Sequence, residues 1–327
     1  MVVMDSVYRD NAWKVQKEIN RAILGKGELV ARIMLAILSG GHVLLEDIPG
    51  VGKTTLAVAF ARTMGLSWKR VQFTPDVMPS DLTGFSIYRR EKEDFVYQPG
   101  AVFCNLLLAD EINRTSPKTQ SALLEVMEEG QVTVDGTTRK VPQPFFVVAT
   151  QNPLGAAGTQ PLPPAQVDRF LISVSMGYPA FDDEVQMARE AGRGRRTDNL
   201  PVLSSPLLLQ EMQKEAMETY IQESILQYST ALVSATRKHN YLEMGASPRA
   251  TIALVKIAKA MAWLEGMNYV SPAEVGGVFL DVVNHRIVLN ARARREKVTK
   301  EQILSEILKT VPKPMKRDSG AYRKSLL

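Results

Sequence analysis

Through the first half of this chain, short apolar runs alternate with amphipathic stretches. The runs occupy residues 42–45, 70–73, 106–109, 145–149 and 171–175. Each is too short for a buried helix, and polar or Gly/Pro punctuation ends most of them. Such an alternation predicts an α/β unit around a buried parallel sheet. Two further segments alternate apolar and polar residues with a period of two. GQVTVDGTTRKV, residues 130–141, does so around Asp135-Gly136, a strong hairpin signal, and FSIYRREKEDFVYQ, residues 85–98, forms a second candidate hairpin.

After Tyr178-Pro179 the period changes. Ile225, Tyr228, Leu232 and Ala235 step by three and four residues, as do Leu254, Ile257, Met261 and Leu264, which predicts helices with one apolar stripe. Ser271-Pro272-Ala273-Glu274 reads as a capping box with proline at the first helical position. GRGRRTDNLPVL, residues 192–203, reads as a connecting loop, and no internal repeat is visible. The division expected is an α/β domain over 1–178, a helical domain over 179–300 and a basic tail over 301–327.

Composition narrows the chemistry. With 327 residues, 45% hydrophobic and 23% charged, the chain can bury a core without covalent staples. One cysteine, Cys104, excludes a disulfide framework and a cysteine-built zinc site. His42, His239 and His285 are too far apart to suggest a metal site. No apolar run approaches the roughly 18 residues of a membrane span, and the first residues lack a basic start followed by an apolar core. A soluble, cytoplasmic protein is expected. The net charge of +5 is unevenly placed: residues 286–327 carry twelve Lys and Arg against four Asp and Glu, which leaves the first 285 residues at −3. The basic character therefore belongs to a solvated, partly disordered tail and is a weak argument for nucleic acid.

The strand HVLL runs into EDIPGVGKTT, residues 46–55, and then into a helical stretch. Strand, glycine loop and helix beginning at Lys-Thr form the phosphate cradle of a P-loop. Pro49, Gly50, Val51, Gly52, Lys53, Thr54 and Thr55 make up that cradle. Lys53 supplies charge to the β- and γ-phosphates, and Thr54 offers a hydroxyl to Mg²⁺. The strand 106–109 ends in Asp110-Glu111, 57 residues beyond Lys53. An acidic pair after an apolar strand is a Walker B arrangement, with Asp110 on Mg²⁺, largely through water, and Glu111 as general base for the attacking water. Together the two motifs point to ATP and Mg²⁺.

Three further residues are candidates. Asn152, at the tip of the strand FFVVAT, reads either as a contact to the γ-phosphate or as a turn before Pro153. Arg169, in Asp168-Arg169-Phe170, reads either as a guanidinium reaching a neighbouring subunit's nucleotide or as a salt bridge within its own domain. Arg249 follows Ser247-Pro248, in a first helical turn, where a cation opposes the helix dipole and phosphate contact would be a reason for it. Lys118 stands in the same unfavourable position after Ser116-Pro117, which weakens that argument.

These residues resemble the AAA+ ATPases and, within them, the MoxR family. The resemblance rests on LLEDIPGVGKT, LLLADEINRTSPKTQSALLEVMEEGQVTVDG, ATQNP, LPPAQVDRF and GASPRA, in the family's order over about residues 15–290. It implies an αβα wedge with strand order 5-1-4-3-2, a helical lid, and hexameric rings with nucleotide at subunit interfaces. On the same basis Asn152 matches sensor 1, Arg169 the arginine finger and Arg249 sensor 2, and the hairpins fall at the helix-2 insert and the pre-sensor 1 hairpin. Asp47 replaces the first Walker A glycine, as is usual in that family, whereas Pro164 stands where glutamate is usual.

The function this implies is an oligomeric ATPase that remodels, matures or assembles a protein client, acting with a von Willebrand factor A-domain partner. A DNA-directed motor of the same clade is the alternative, but Arg89, Arg90 and Lys92 of the first hairpin are offset by Glu91, Glu93 and Asp94. A nucleotide-gated scaffold with little turnover is a third reading, against which Glu111 stands. For the adenine, the turn at residues 23–25 is the candidate contact.

Overall fold

The computed structural model describes residues 6–46, 50–91, 93–151, 162–190 and 196–314. Its centre is a five-stranded sheet of β1 (Val43–Glu46), β2 (Trp68–Gln72), β5 (Leu106–Asp110), β8 (Phe146–Gln151) and β9 (Ile172–Val174), in the order β2-β5-β8-β1-β9. Every neighbouring pair is parallel. Counted among these five strands alone, the order is 5-1-4-3-2, as the resemblance implies.

The apolar runs are continuous because both faces of the central strands are covered. Along β5, Leu106 and Leu108 enter one core while Leu107 and Ala109 enter another, and β8 divides Phe146 and Val148 from Val147 and Ala149 in the same way. Period-two alternation across a sheet buried on both sides leaves no polar position until the ends of these two strands.

One face carries α1 (Val7–Ala22), α2 (Gly27–Leu38) and α3 (Lys53–Thr63). The other carries α4 (Pro79–Thr83) and α5 (Pro117–Glu129), whose Leu123, Leu124 and Met127 pack with Phe73, Leu82 and Phe170. Both hairpins form as expected. β3 (Phe85–Arg89) pairs with β4 (Asp94–Gln98), and β6 (Gln131–Val134) with β7 (Thr137–Lys140). Asp135 and Gly136 both take positive φ, +52° and +71°, the conformation a two-residue hairpin turn requires. The short α6 (Pro164–Val167) precedes β9, and α7 (Phe181–Arg189) follows it.

The second half is helical: α8 (Pro206–Glu218), α9 (Glu223–Thr236), α10 (Pro248–Leu264), α11 (Pro272–Val283), α12 (Ala291–Glu296) and α13 (Lys300–Thr310). A two-stranded ribbon of β10 (Leu242–Met244) and β11 (Val288–Leu289) joins them. Of the apolar stripes expected on α9 and α10, Ile225, Tyr228, Leu232, Leu254, Ile257 and Leu264 are buried, while Ala235 and Met261 are half-buried against the same core, and Ser271 and Glu274 form the capping box of α11. Residues 192–203 are partly outside the described residues; within the connection between α7 and α8, Arg196–Asn199 form a 3-10 turn. The helical unit also reaches further than composition suggested. α13 buries Ile303, Leu304 and Ile307, so a tail beginning at 301 starts inside a packed helix, and residues 315–327 lie outside the described residues.

The two halves share one core. α8 and α10 pack on α1 and α2, and α2 accordingly buries eight of its twelve residues, being enclosed by the sheet below and helices above. No helix among the described residues is long and apolar enough to cross a membrane.

Candidate nucleotide site

Because the sheet is parallel, the loops that follow its strands gather at one edge. β1 leads into the glycine loop, β5 into Glu111, and β8 ends at Gln151. Gly50 and Gly52 hold φ of +88° and +98°, which a side chain would strain. The curl they allow delivers the chain into α3 at Lys53. α5, α8, α10 and α11 each begin with a serine hydroxyl accepting a first-turn amide, whereas α3 begins at left-handed Gly52 with no side-chain cap and no acidic residue. Its first turn therefore presents the electropositive end of the helix dipole with no side-chain cap across it, an arrangement suited to an anion. Thr54 and Thr55 lie in that first turn and Val51 packs on the core. Pro49 and Asn152, like Asp47, lie outside the described residues.

At the end of β5 the acidic pair is held by a residue that sequence reasoning passed over. The fully buried Thr150 hydroxyl donates to Asp110 Oδ1 at 2.6 Å and accepts the Glu111 amide at 2.8 Å. Glu111 sits in the left-handed region, φ 57° and ψ 48°, which turns the chain at the strand's end. A non-glycine residue there costs of order 1 kcal/mol, tolerated because the surrounding bonds fix it. Two cations complete the edge. Arg70 on β2 donates to Asp110 Oδ2 at 2.7 Å, and Arg114 pairs with Glu111 Oε2 at 2.7 Å. Gln151 also donates to Glu46 at 2.7 Å across β8 and β1. The signal that could have found Arg70 is its place in β2, where polar Arg70 and Gln72 share one face and Gln72 stands opposite Asp110.

The fit to Mg²⁺ and nucleotide follows from this donor set. Asp110 and Thr54 are hard oxygen donors suited to Mg²⁺. The open helix terminus and Lys53 suit phosphates. Nearby, Lys26 Nζ donates to the carbonyls of Met176 and Tyr178 at 2.5 and 2.7 Å, and Met176 reaches over the loop, since a Cβ on Gly52 would meet its Cε at 3.8 Å. A cleft of about 210 Å³ between Gly25, Lys26 and Met176 thus adjoins the P-loop.

Arg169 and Arg249 are elsewhere. Arg169 precedes β9, so it lies at the opposite edge of the sheet, a strand's length or roughly 15 Å from the P-loop. Arg249 joins it there: one oxygen of Glu128, in the last turn of α5, pairs with Arg249 at 2.6 Å and the other with Arg169 at 3.2 Å. The structure thus brings together Lys53, Thr54, Asp110 and Glu111 at one edge and Arg169 with Arg249 at the other.

His42 shows why the histidines carry no chemistry here. Its Nε2 donates to Met127 O at 2.9 Å and its Nδ1 accepts the Val147 amide at 3.0 Å. Burial lowers its pKa to about 4, so it is a neutral core residue. No cluster of metal-ligating side chains is present among the described residues.

The chain is similar to known proteins along most of its length. Residues 42–172 match the profile of the ATPase family associated with various cellular activities (AAA), and residues 234–307 match an AAA lid domain. The chain is 44% identical to YeaC, an uncharacterized protein of Bacillus subtilis, over 94% of this chain and 96% of that one. It is 41% identical to Chaperone MoxR1 of Mycobacterium tuberculosis, over 91% of this chain and 81% of the relative. The crystal structure of a candidate ATPase from Cytophaga hutchinsonii superimposes with a TM-score of 0.88 at 39% identity, covering 94% and 96% of the two chains.

Proposed function

Because the chain belongs to the MoxR family of AAA+ ATPases, we propose that it hydrolyses ATP at sites shared between neighbouring subunits of a ring, a hexamer by family resemblance. The observation that carries this reading is the separation of the two edges. The P-loop, Asp110 and Glu111 stand at one end of the sheet, and Arg169 and Arg249 at the other. Each chain presents a cradle and, a strand's length away, two guanidiniums suited to someone else's phosphates.

Within the cradle, the α3 amides and Lys53 bind the phosphate chain, and Thr54 and Asp110 would hold Mg²⁺. Bound there, Mg²⁺ supplies neutralisation of charge on the phosphate oxygens. Glu111 takes a proton from the attacking water, once its pairing with Arg114 is released. Asn152, next in sequence after β8, is the residue proposed for the γ-phosphate. The cleft by Gly25 and Met176 takes the adenine. A neighbour's Arg169 and Arg249 stabilise charge building on the transferring phosphoryl group.

Hydrolysis is coupled to remodelling or maturing a protein client in the cytoplasm, with a von Willebrand factor A-domain partner. The relative named Chaperone MoxR1 supports the client reading. So does the β3–β4 hairpin, which exposes Phe85, Ile87, Tyr88 and Phe95 while Arg89 and Asp94 stand opposite one another in register. Exposed apolar strands ending in a charge-balanced tip suit polypeptide better than a phosphate backbone.

Complementation tests the shared site. Lys53→Ala and Arg169→Ala should each be inactive alone, and mixing them should restore hydrolysis, because a Lys53→Ala subunit can lend its arginine to an intact cradle. A mixture as inactive as its parts would overturn the reading.

A further inference from the structure

Arg169 and Arg249 come from different halves of the chain, and two guanidiniums converging on one point repel each other. Glu128 lies between them with one carboxylate oxygen on each, at 3.2 and 2.6 Å. Arg169 is further fixed by donating to Leu124 O at 2.9 Å, one turn earlier in α5. The two arginines line one cleft together with Lys256.

The residue before Arg169 ties the same two halves. Asp168 accepts Arg286 Nε at 2.7 Å on one oxygen and the Ser247 hydroxyl at 2.8 Å on the other. Ser247 is also the N-cap of α10, accepting the amide of Arg249 itself at 3.1 Å. Arg286, whose side chain is 3% exposed, binds the carbonyls of Asp168, Phe170 and Leu171 as well. The backbones that carry Arg169 and Arg249 are therefore locked to each other by Asp168. Their side chains are matched by Glu128.

We infer that Glu128 is a positioning residue for hydrolysis in the neighbouring subunit: it holds the two arginines side by side, so that they meet one phosphoryl group as a single fork. The inference rests on the shared-site reading above. A lone surface ion pair would contribute little. Here one carboxylate serves two cations whose backbones are already fixed, so that little further ordering is needed to hold the fork. Glu128 touches no substrate and acts only through Arg169 and Arg249.

The test uses the full chain with Glu128→Ala, Glu128→Gln and Glu128→Asp, measuring kcat and KM for ATP, binding of a fluorescent ATP analogue, and self-association by sedimentation. Glu128→Ala should lower kcat at least about tenfold, with KM, nucleotide affinity and assembly unchanged. Glu128→Gln, which keeps shape but not charge, should fall between, and Glu128→Asp should recover part of the rate. The double variant Glu128→Ala/Arg169→Ala should be no slower than Arg169→Ala alone, because the two residues act as one unit. A Glu128→Ala rate at or above wild type, with Arg169→Ala still collapsed, overturns the role of Glu128 and leaves the shared site standing. A loss repaired by raising protein concentration makes Glu128 an assembly contact and likewise overturns it. If Arg169→Ala itself runs at the wild-type rate, the shared-site reading fails first and this one with it.

Discussion

The two edges of the central sheet are built in opposite ways. At the edge where strands end, the chemistry comes from short contiguous stretches: residues 50–55 after β1, Asp110-Glu111 after β5, Thr150-Gln151 at the end of β8. At the edge where strands begin, the arrangement is made of distant pairs. Glu128 meets Arg249 across 121 residues and Asp168 meets Arg286 across 118. The first edge is a local product of strand, turn and helix, whereas the second exists only once the helical half has docked on the sheet. The proposed division of labour, in which one edge accepts nucleotide and the other serves a neighbour's, maps onto this difference.

The sharpest way to break that comparison is to remove the cation from the second edge and read the first. Arg169→Ala should cut turnover by about 10³–10⁵, the usual worth of an arginine supplied to a phosphoryl transfer, while ATP binding persists. Specific activity of the wild-type chain should climb with protein concentration. A flat rate, unaffected by the substitution, would make Arg169 a structural partner of Glu128 and each subunit self-sufficient.

Glu111→Gln probes the first edge alone. The amide keeps the shape but accepts no proton, so hydrolysis should fall by about 10²–10⁴, with ATP retained at the site. Rapid-quench measurement of bound ATP and ADP separates the two. Wild-type turnover in this variant would remove Glu111 from the role of base.

Acid should destabilise the fold through the second edge. His42, at the start of β1, and His285, whose ring meets Phe170 O at 3.1 Å, are both held neutral there by burial. The unfolded chain takes up a proton near pH 6.5, but folded His42 does so only at about 4. Its folded pKa is depressed, so protonation favours unfolding and stability falls as pH drops from 6.5 to 4. For His42 alone the loss is about 3 kcal/mol. Urea denaturation of wild type and His42→Asn across this window is the check. The variant should start less stable at pH 7 yet show the shallower pH dependence, and equal slopes would refute the assignment.

The contrast also explains what could be read before the structure. The five strands, both hairpins and the helix starts at Ser116, Ser247 and Ser271 follow from local periodicity and turn chemistry, and so does the placement of Lys53, Thr54, Asp110 and Glu111. Glu128 was invisible because the last turn of a helix in EVMEEG looks like an ordinary solvated face. Its partners are fixed by docking, which no local pattern encodes. Arg70 and Arg114 were hidden differently: each is an unremarkable cation until register places it against a carboxylate. The helix at 300–310 is masked by the lysines and arginines that dominate the composition of this end, although Ile303, Leu304 and Ile307 step by one and three residues.

Thr150 offers the finest test of the first edge, because it touches both carboxylate-bearing residues without being a candidate for chemistry itself. Its hydroxyl ties Asp110 to the amide of Glu111, fixing the turn in which Glu111 points. Thr150→Val keeps the volume and removes both bonds, leaving a buried amide and a carboxylate oxygen without that partner. The expected outcome is a stability loss of about 1–3 kcal/mol and a fall in kcat of about tenfold, because Glu111 is then free to leave its strained conformation. Thr150→Ser restores the hydroxyl at the price of one methyl and should recover the rate. If valine loses stability but not kcat, the left-handed turn at Glu111 is held by the strand end alone, and the first edge is more rigid than its hydrogen bonds imply.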